Sequence, residues 1–233
     1  MRFQTPLVPA RLVQRYKRFL IDATLEDGTE VTAHCANPGS MLGLALPGSR
    51  IWLEPNDDPK KKLKYGWRLI EHETGHFTGV DTSVPNRALK EYLGEHGIPE
   101  FADYTDVRPE VKYGQNSRID FLLSAPDRPN HYLEVKSVTL SRNTGVAEFP
   151  DSVTARGTKH LAELIDMKAL GHDATMLYLV QRTDAELVSL ADDIDPKYAE
   201  AFERARTAGV NVLAYRCQIS PEEIEIDQRI PFL

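Results

Sequence analysis

The sequence predicts an α/β protein in two parts, with a small all-β domain over residues 1–82 followed by a mixed-sheet domain over residues 83–233. Two observations lead to this prediction. The first part contains several short strand-like runs separated by turns, and no convincing helix. The second part follows the order helix, three strands, helix, strand, helix, strand, which is typical of a mixed sheet.

Turn residues divide the first part into the strands of a small barrel. The strand candidates are residues 8–20, 31–35, 50–53, 67–71 and 76–80. Asp27-Gly28 favours a hairpin between the first two, and the Asn-Pro-Gly sequence at 37–39 requires a tight loop. We favour an OB-like barrel, because the strands and loops of that fold commonly bind single-stranded nucleic acid. The aromatic side chains that could stack on bases, most of them more typical of a core, are Tyr16, Phe19, Trp52 and Trp67.

Capping residues and apolar periodicity place the helices of the second part. The first helix is predicted to begin with Asn86 as its N-cap and to end at Gly94. A second helix follows the capping signal at 150–152 and runs to about Leu170. Asp195, followed by proline, begins a third.

The sheet of the second part is predicted from its apolar runs. Residues 174–180 are almost continuously apolar, which is typical of a strand buried on both faces. Residues 210–219 are predicted to close the sheet. The other three strands form a meander over residues 110–140, with turns centred near Gln115 and Asp127.

The meander predicts a row of acidic side chains across its three strands. Residues equidistant from a hairpin turn face each other, so Glu110 opposes Asp120 and Asp120 opposes Glu134, with adjacent Cβ atoms about 5 Å apart. Lys136 projects from the same face, two residues beyond Glu134. Like charges this close need a counter-charge, and carboxylate oxygens suit Mg²⁺ or Mn²⁺. With an ammonium group beside a phosphate, the row predicts metal-assisted phosphodiester hydrolysis.

A simpler explanation of the Glu-x-Lys pattern is a charged pair on a solvated strand. The pattern is short enough to occur by chance, and residues 110–112 contain a second copy. Asp120 argues for a site, because it interrupts an otherwise apolar strand at residues 119–123. The prediction depends on both turns, since a shift of one residue would reverse the faces.

The net charge of −7 at first argues against a nucleic-acid partner, but cations are clustered locally, and such clusters can bind phosphates. The first 20 residues contain no acidic residue. Their cations are Arg2, Arg11, Arg15, Lys17 and Arg18. A second basic cluster lies at residues 60–64. Arg156 and Lys159 lie near the start of the second predicted helix, where the helix N-terminus favours phosphate. His160 beside them is interpreted as a surface histidine.

Composition predicts a soluble, cytoplasmic protein. Cys35 and Cys217 lie far apart and fit no metal or redox spacing, so two reduced thiols are expected. No apolar run is long enough to span a bilayer, and no membrane partner is expected. The oligomeric state is left open, with a homodimer as one option.

Several longer segments resemble the sugar fermentation stimulation protein A (SfsA) family. They are LVQRYKRFL at 12–20, HCANPGSM at 34–41, VKYG at 111–114, SRIDF at 117–121, YLEVKSVTL at 132–140 and FPDSVTARGTKHL at 149–161. Asp120 on one strand and Glu134-Val135-Lys136 on the next are also similar to the core of the PD-(D/E)xK, or restriction-endonuclease-like, nuclease superfamily. Ile119 stands where that pattern has proline.

The resemblance implies an OB-like domain followed by a restriction-endonuclease-like domain, and cleavage of DNA or RNA with Mg²⁺ or Mn²⁺. Asp120, Glu134 and Lys136 are the implied catalytic residues, and Glu110 is expected to join the two other acids as a metal ligand. The residues expected to contact nucleic acid are Arg15, Lys17, Arg18, Asn37, Ser40, Arg118, Arg156 and Lys159. The family's name suggests an alternative, a non-catalytic DNA-binding regulator of sugar-metabolism genes.

Overall fold

The N-terminal part is a closed five-stranded barrel in the computed structural model, which describes residues 1–114 and 116–233. Its strands are β1 (Val8–Tyr16), β2 (Leu20–Leu25), β3 (Glu30–Cys35), β4 (Arg50–Pro55) and β5 (Tyr65–Glu71). They pair in the order β3-β2-β1-β4-β5, and a parallel pairing of β3 with β5 closes the ring. A short β6 (Phe77–Gly79) extends the sheet beyond β5. This topology confirms the predicted OB-like barrel.

Alternating side chains of the barrel strands form its core. Ile21, Ile51, Leu53 and Trp67 are fully buried, while their neighbours along each strand are more exposed. Removing this apolar surface from water stabilises the barrel by roughly 25 cal/mol per Å².

The chain reverses direction within residues 8–20, which the sequence predicted as one strand. Tyr16 pairs with Leu20, so β1 and β2 form a hairpin. Lys17 and Arg18 make the turn in the left-handed region, with φ of 48° and 63°. Glycine and asparagine are the usual residues in this conformation, so nothing in the local sequence indicated a turn here.

The second part is a mixed α/β domain, as predicted. Its strands are β7 (Asp106–Tyr113), β8 (Ser117–Ser124), β9 (His131–Val138), β10 (Leu140–Asn143), β11 (Val146–Phe149), β12 (Asp173–Val180), β13 (Leu187–Leu190), β14 (Asn211–Ile219) and β15 (Ile224–Arg229). Its helices are α1 (Val84–Glu95), α2 (Ala155–Ala169) and α3 (Pro196–Thr207). The main sheet has the order β15-β14-β12-β9-β8-β7. Strand β9 lies parallel to β12 and antiparallel to β8.

Helices cover both faces of the main sheet. Leu161 and Leu164 of α2 pack with Tyr178 of β12 on one face. Leu89 of α1 packs with Leu177 of β12 on the other. Because successive strand residues face opposite sides, a continuously apolar β12 can serve both cores. None of the described helices is long and apolar enough to cross a membrane.

Several boundaries differ from the sequence prediction. Ser83, and not Asn86, is the N-cap of α1, which places Asn86 inside the first turn of the helix. Residues 210–219 do not close the sheet, because β15 pairs along the outer edge of β14. Strands β10, β11 and β13 form a separate small sheet that was not predicted. The turn predicted at Gln115 lies outside the described residues.

The buried His131 gives the fold a specific dependence on pH. It begins β9, is 5% exposed, and its Nε2 lies 2.7 Å from the Thr175 hydroxyl. Burial lowers its pKa from 6.5 to about 4. The neutral imidazole therefore contributes stability that is fully present above pH 6.5 and is lost as pH falls through 4. The loss amounts to about 3 kcal/mol.

We expect His131→Gln to flatten the fall in unfolding free energy between pH 6.5 and 4. Urea denaturation of both proteins at half-unit steps across this window measures it. The wild type should lose stability faster with acidification than the variant. Parallel curves for the two proteins would contradict a buried, neutral His131.

Candidate active site

A cleft of about 470 Å³ opens between the barrel and the mixed-sheet domain. Its floor contains Asp120 of β8 and Glu134 and Lys136 of β9. The barrel contributes Arg18 and the loop at residues 37–39 to its walls. The structure therefore brings the three predicted catalytic residues into one space, lined by both domains.

Asp120 lies where β8 and β9 separate. The regular pairing of these strands begins at Phe121 with Leu133. At the next position the Asp120 side chain replaces a backbone partner, and its Oδ2 accepts a hydrogen bond from the Val135 N–H at 2.7 Å. The Asn86 side-chain amide donates to Oδ1 at 2.6 Å. These two donors hold the carboxylate at the cleft floor, at the point where the sheet opens.

Glu134 is almost fully buried, with only 2% of its surface exposed. Its Oε1 accepts from the Lys136 ammonium at 2.7 Å and forms a short contact with Nδ1 of His160. Its Oε2 is buried and has no hydrogen-bond partner in the described part of the chain. A buried, unpaired carboxylate oxygen is costly, so a ligand at this position would be stabilising.

The two carboxylates differ in their affinity for protons. Burial and the nearby Glu134 charge raise the pKa of Asp120 from 3.8 to about 6. Burial also opposes ionisation of Glu134, but Lys136 and His160 outweigh it and hold its pKa below the ordinary value. Glu134 is therefore a permanent anion at neutral pH, and Asp120 gains or loses its proton near pH 6.

His160 belongs to this cluster, although its sequence position beside Arg156 and Lys159 predicted a surface histidine. It is 4% exposed, and its Nε2 accepts from Arg156 Nε at 3.3 Å. Its Nδ1 contacts Glu134 and lies 3.3 Å from the Lys136 ammonium. A signal was available, because position 160 falls on the buried stripe of α2 with Gly157 and Leu164.

The other residues predicted for the mixed-sheet domain have different positions. Glu110 is exposed on the cleft wall, with a left-handed φ of 55°. Arg118 donates to the Glu110 carbonyl at 3.3 Å. Arg156 lines the cleft, whereas Lys159 lies outside it, with its ammonium 3.0 Å from the Ser117 hydroxyl. Of these four residues, Glu110 and Arg156 therefore line the cleft that contains Asp120 and Glu134.

Three barrel residues that were predicted to contact nucleic acid hold the loop at residues 37–41 in place. The Arg15 guanidinium donates to the carbonyls of Arg18 and Asn37, both at 2.8 Å. Asn37 is 3% exposed and its amide bonds the Val80 carbonyl. The Ser40 hydroxyl donates to the Asp151 carbonyl at 2.6 Å, so this loop docks on the second domain. These contacts form one wall of the cleft.

Arg18 and Lys17 are two further predicted barrel residues, and both have exposed side chains near this wall. Arg18 lines the cleft and donates to the Pro38 carbonyl at 3.0 Å. Lys17 is exposed on the same turn but does not line the cleft. The turn therefore presents cations at the edge of the cleft.

Two family models match the chain, one for each domain. The model described as "SfsA N-terminal OB domain" matches residues 13–80, and "Sugar fermentation stimulation protein RE domain" matches residues 83–223. The chain belongs to the SfsA family. The sequence resemblance to this family is therefore confirmed.

Curated SfsA-family relatives match along the whole chain. A sugar fermentation stimulation protein homolog from Ruegeria pomeroyi is 71% identical over 97% of this chain and 98% of its own length. Homologs of the same name from Azorhizobium caulinodans and Brucella anthropi are 53% and 49% identical, over 100% and 99% of this chain and 100% and 99% of their own lengths. The solved structure of Pyrococcus furiosus SfsA in complex with Ca²⁺ covers 100% of this chain and 98% of that chain, with TM-score 0.88 and 24% identity. That likeness establishes the shared fold.

The donor set of this SfsA-family chain fits a hard divalent cation. Asp120 and Glu134 supply carboxylate oxygens, and Glu134 Oε2 has no other partner in the described structure. Among the described residues, no group of three or more His, Cys, Asp or Glu side chains is arranged as a metal site. A pair of carboxylates completed by water and substrate oxygens is typical of Mg²⁺, which keeps several of its waters.

Proposed function

We propose that this protein is a metal-dependent nuclease that hydrolyses phosphodiester bonds of DNA or RNA. The observation that carries the proposal is the meeting of two carboxylates, Asp120 and Glu134, with the Lys136 ammonium on the floor of an open cleft. The half-buried Asp120 beside the buried Glu134 costs desolvation energy and mutual repulsion, which uncharged residues would avoid. Acids with separated pKa values in a cleft are instead typical of a reaction centre.

Asp120 and Glu134 are the residues that would hold Mg²⁺ or Mn²⁺. When bound, such an ion lowers the pKa of a water and neutralises charge on the scissile phosphate. The related P. furiosus protein is described as a complex with Ca²⁺, which also prefers oxygen ligands. We extend that hard-cation preference to this chain as part of the proposal, with Glu110 as a further ligand from the cleft wall.

The remaining polar residues of the cleft position the substrate. The Lys136 ammonium lies beside Glu134, where it can offset negative charge that develops on a phosphate oxygen. His160 contacts Glu134 and fixes its orientation from behind. Arg156 and Arg18 lie on opposite domains along the cleft and would bind the phosphates that flank the scissile bond.

Incubation of the purified protein with a panel of nucleic acids tests this function. The panel contains single- and double-stranded DNA and RNA of one sequence, each labelled at one end, with Mg²⁺, Mn²⁺ or EDTA. We expect products with Mg²⁺ or Mn²⁺ and none with EDTA. A doubly substituted protein, Asp120→Ala with Glu134→Ala, purified in the same way, should give none under any condition.

Two outcomes would contradict the proposal. Equal cleavage by the doubly substituted protein would show that a contaminating nuclease makes the products. Salt-sensitive binding to DNA without product under any metal condition would favour the non-catalytic regulator. A titration from 50 to 500 mM salt measures that binding in the same samples.

A further inference from the structure

The barrel exposes an aromatic ring at the tip of the β1–β2 hairpin. Phe19 is 44% exposed, and its ring stacks on the exposed His34, with centroids 6.3 Å apart and planes within 18°. Its backbone is fixed, because the Cys35 N–H donates to the Phe19 carbonyl at 2.8 Å. We call this pair of rings the Phe19–His34 platform. A rigid, exposed aromatic pair contributes little to the core but offers a flat surface for stacking.

Two cations occupy a strained turn directly beside the platform. Lys17 and Arg18 both have positive φ, a conformation that costs about 1 kcal/mol or more for residues with a Cβ atom. Both side chains are exposed. The turn therefore holds two exposed cations next to an exposed ring, and a ligand that carries both an anion and an aromatic ring would have a partner for each.

The platform lies between two depressions of the surface. On one side, Arg18 is part of the lining of the candidate active-site cleft. On the other side, His34 lines a second cavity of about 650 Å³ that also contains Lys61, Lys62 and Tyr65. His34 pairs with Gly66 on β5, and the Arg68 guanidinium lies over this glycine, 3.2 Å from the position that a Cβ atom would take. We call the line from the cleft through the platform to the second cavity the path, and cations and aromatic rings lie along it.

Cations outnumber the acids without a cationic partner among the residues that line the second cavity. Glu54 is already paired, since its Oε2 accepts from Arg68 at 2.7 Å. The remaining acid of the lining is the exposed Asp57, and the lining also contains two lysines, Lys61 and Lys62. The path therefore favours a chain with a repeating negative charge.

We propose that single-stranded nucleic acid binds along this path, from the active-site cleft, across the Phe19–His34 platform, into the Lys61–Lys62 cavity. A base can stack on the platform only when it is free of its own partner, so a duplex does not satisfy the site. The bases contact the rings, and the phosphates contact Lys17, Arg18 and the two lysines. The catalytic end of the path rests on the proposed nuclease function, whereas the platform does not.

Binding of fluorescent oligonucleotides in EDTA tests the path apart from any cleavage. The probes are single-stranded DNA and RNA of 4 to 16 nucleotides, the range of lengths that one OB domain covers, and a 16-base-pair duplex. Phe19→Leu retains an apolar side chain but removes the stacking surface, and Phe19→Trp retains stacking. Leu46→Ala is the matched control, because Leu46 is an exposed apolar residue on another loop of the barrel.

We expect Phe19→Leu to weaken single-strand binding by roughly 5- to 150-fold, the loss of one stacked base. Phe19→Trp and Leu46→Ala should bind as the wild type does, and duplex binding should not change in any variant. Replacing both Lys61 and Lys62 by Gln should weaken only the longer oligonucleotides and reduce the salt dependence. Unchanged single-strand binding by Phe19→Leu, or an equal loss for the duplex, would overturn the proposal.

The two proposals fail in different ways. Oligonucleotide binding that depends on Phe19, with no metal-dependent product, retains the path and rejects the nuclease. Metal-dependent products with the same length preference in wild type and Phe19→Leu retain the nuclease and reject the path. The ratio of DNA to RNA affinity on the same variants identifies which single strand the platform accepts.

Discussion

Replacing Asp120 by Asn is expected to reduce metal-dependent cleavage by about 10³-fold or more, the scale of losing charge stabilisation by a bound cation. The substitution retains the size of the side chain and an oxygen that can accept from Asn86 or Val135. It removes the negative charge that would hold the cation beside Glu134. Single-turnover cleavage at several Mn²⁺ concentrations measures the loss. Asp127→Asn, an exposed Asp in the same meander, is the matched control and should cleave normally.

The raised pKa of Asp120 should make the stabilisation of the fold by bound metal depend on pH. The pKa of Asp120 is raised from 3.8 to about 6 in the metal-free protein, so its protonated form is favoured. The stability from this group is fully present below pH 3.8 and is lost as pH rises through 6. Bound metal would reverse the loss, because it favours the ionised carboxylate. The increase in Tm with Mn²⁺ should therefore be larger at pH 7.5 than at pH 5.5.

Two results would contradict this view of Asp120. One is a rate for Asp120→Asn within about tenfold of the wild type, since loss of a cation ligand should cost several kcal/mol. The other is an equal Mn²⁺-induced Tm shift in the variant and the wild type. Either result would leave Asp120 as a structural acid that holds Asn86 and Val135.

The position of Asp120 shows what symmetry about a turn can predict. Equidistance from the turn near Asp127 put Asp120 opposite Glu134, and the observed pairs, which begin with Phe121 and Leu133, continue the same register. The separation of the strands at this point could not be predicted. The Asp120 carboxylate accepts from the Val135 N–H where a backbone carbonyl would do so in a regular pair of strands. Regular strand pairing therefore does not predict this side-chain contact.

Contacts from distant segments were the least predictable part of the site. His160 lies 26 residues from Glu134, and its contact depends on how α2 is rotated against the sheet. Its neighbours Arg156 and Lys159 favoured an exposed face, while the buried stripe of the helix includes position 160. Arg15, a cation of a basic segment that was predicted to contact nucleic acid, donates in the structure to carbonyls of its own domain. Charge alone does not distinguish these two uses.

The division into a barrel and a mixed-sheet domain followed from local signals. Short strands with turns gave the barrel, and caps with a buried apolar strand gave the second domain. The cleft between them depends on long-range contacts, such as that of Ser40 with Asp151. Ser40 and Asp151 are 111 residues apart, and the sequence around one does not indicate the other. The fold class was therefore predictable, and the cleft walls were not.

Replacing Lys136 by Met should lower the cleavage rate by about 10²- to 10³-fold, the usual cost of losing one preorganised donor to a transition-state oxygen. The substitution also breaks a buried ion pair, because Glu134 and Lys136 are 3% and 13% exposed at their side chains. Removal of one partner of such a pair costs about 3–5 kcal/mol of stability. The loss of activity could therefore arise from unfolding, and the two effects must be separated.

Excess Mn²⁺ separates the loss of cleavage rate from the loss of stability. A cation bound at Glu134 supplies the positive charge that the lysine no longer provides, so the Tm of Lys136→Met should recover at high Mn²⁺ concentration. The cleavage rate should stay low, because the metal cannot also occupy the position of the ammonium beside the phosphate. Lys136→Arg retains the charge on a longer, planar group and should recover stability with only part of the rate. If Mn²⁺ restores both quantities together, Lys136 balances the charge of Glu134 and has no direct part in the reaction.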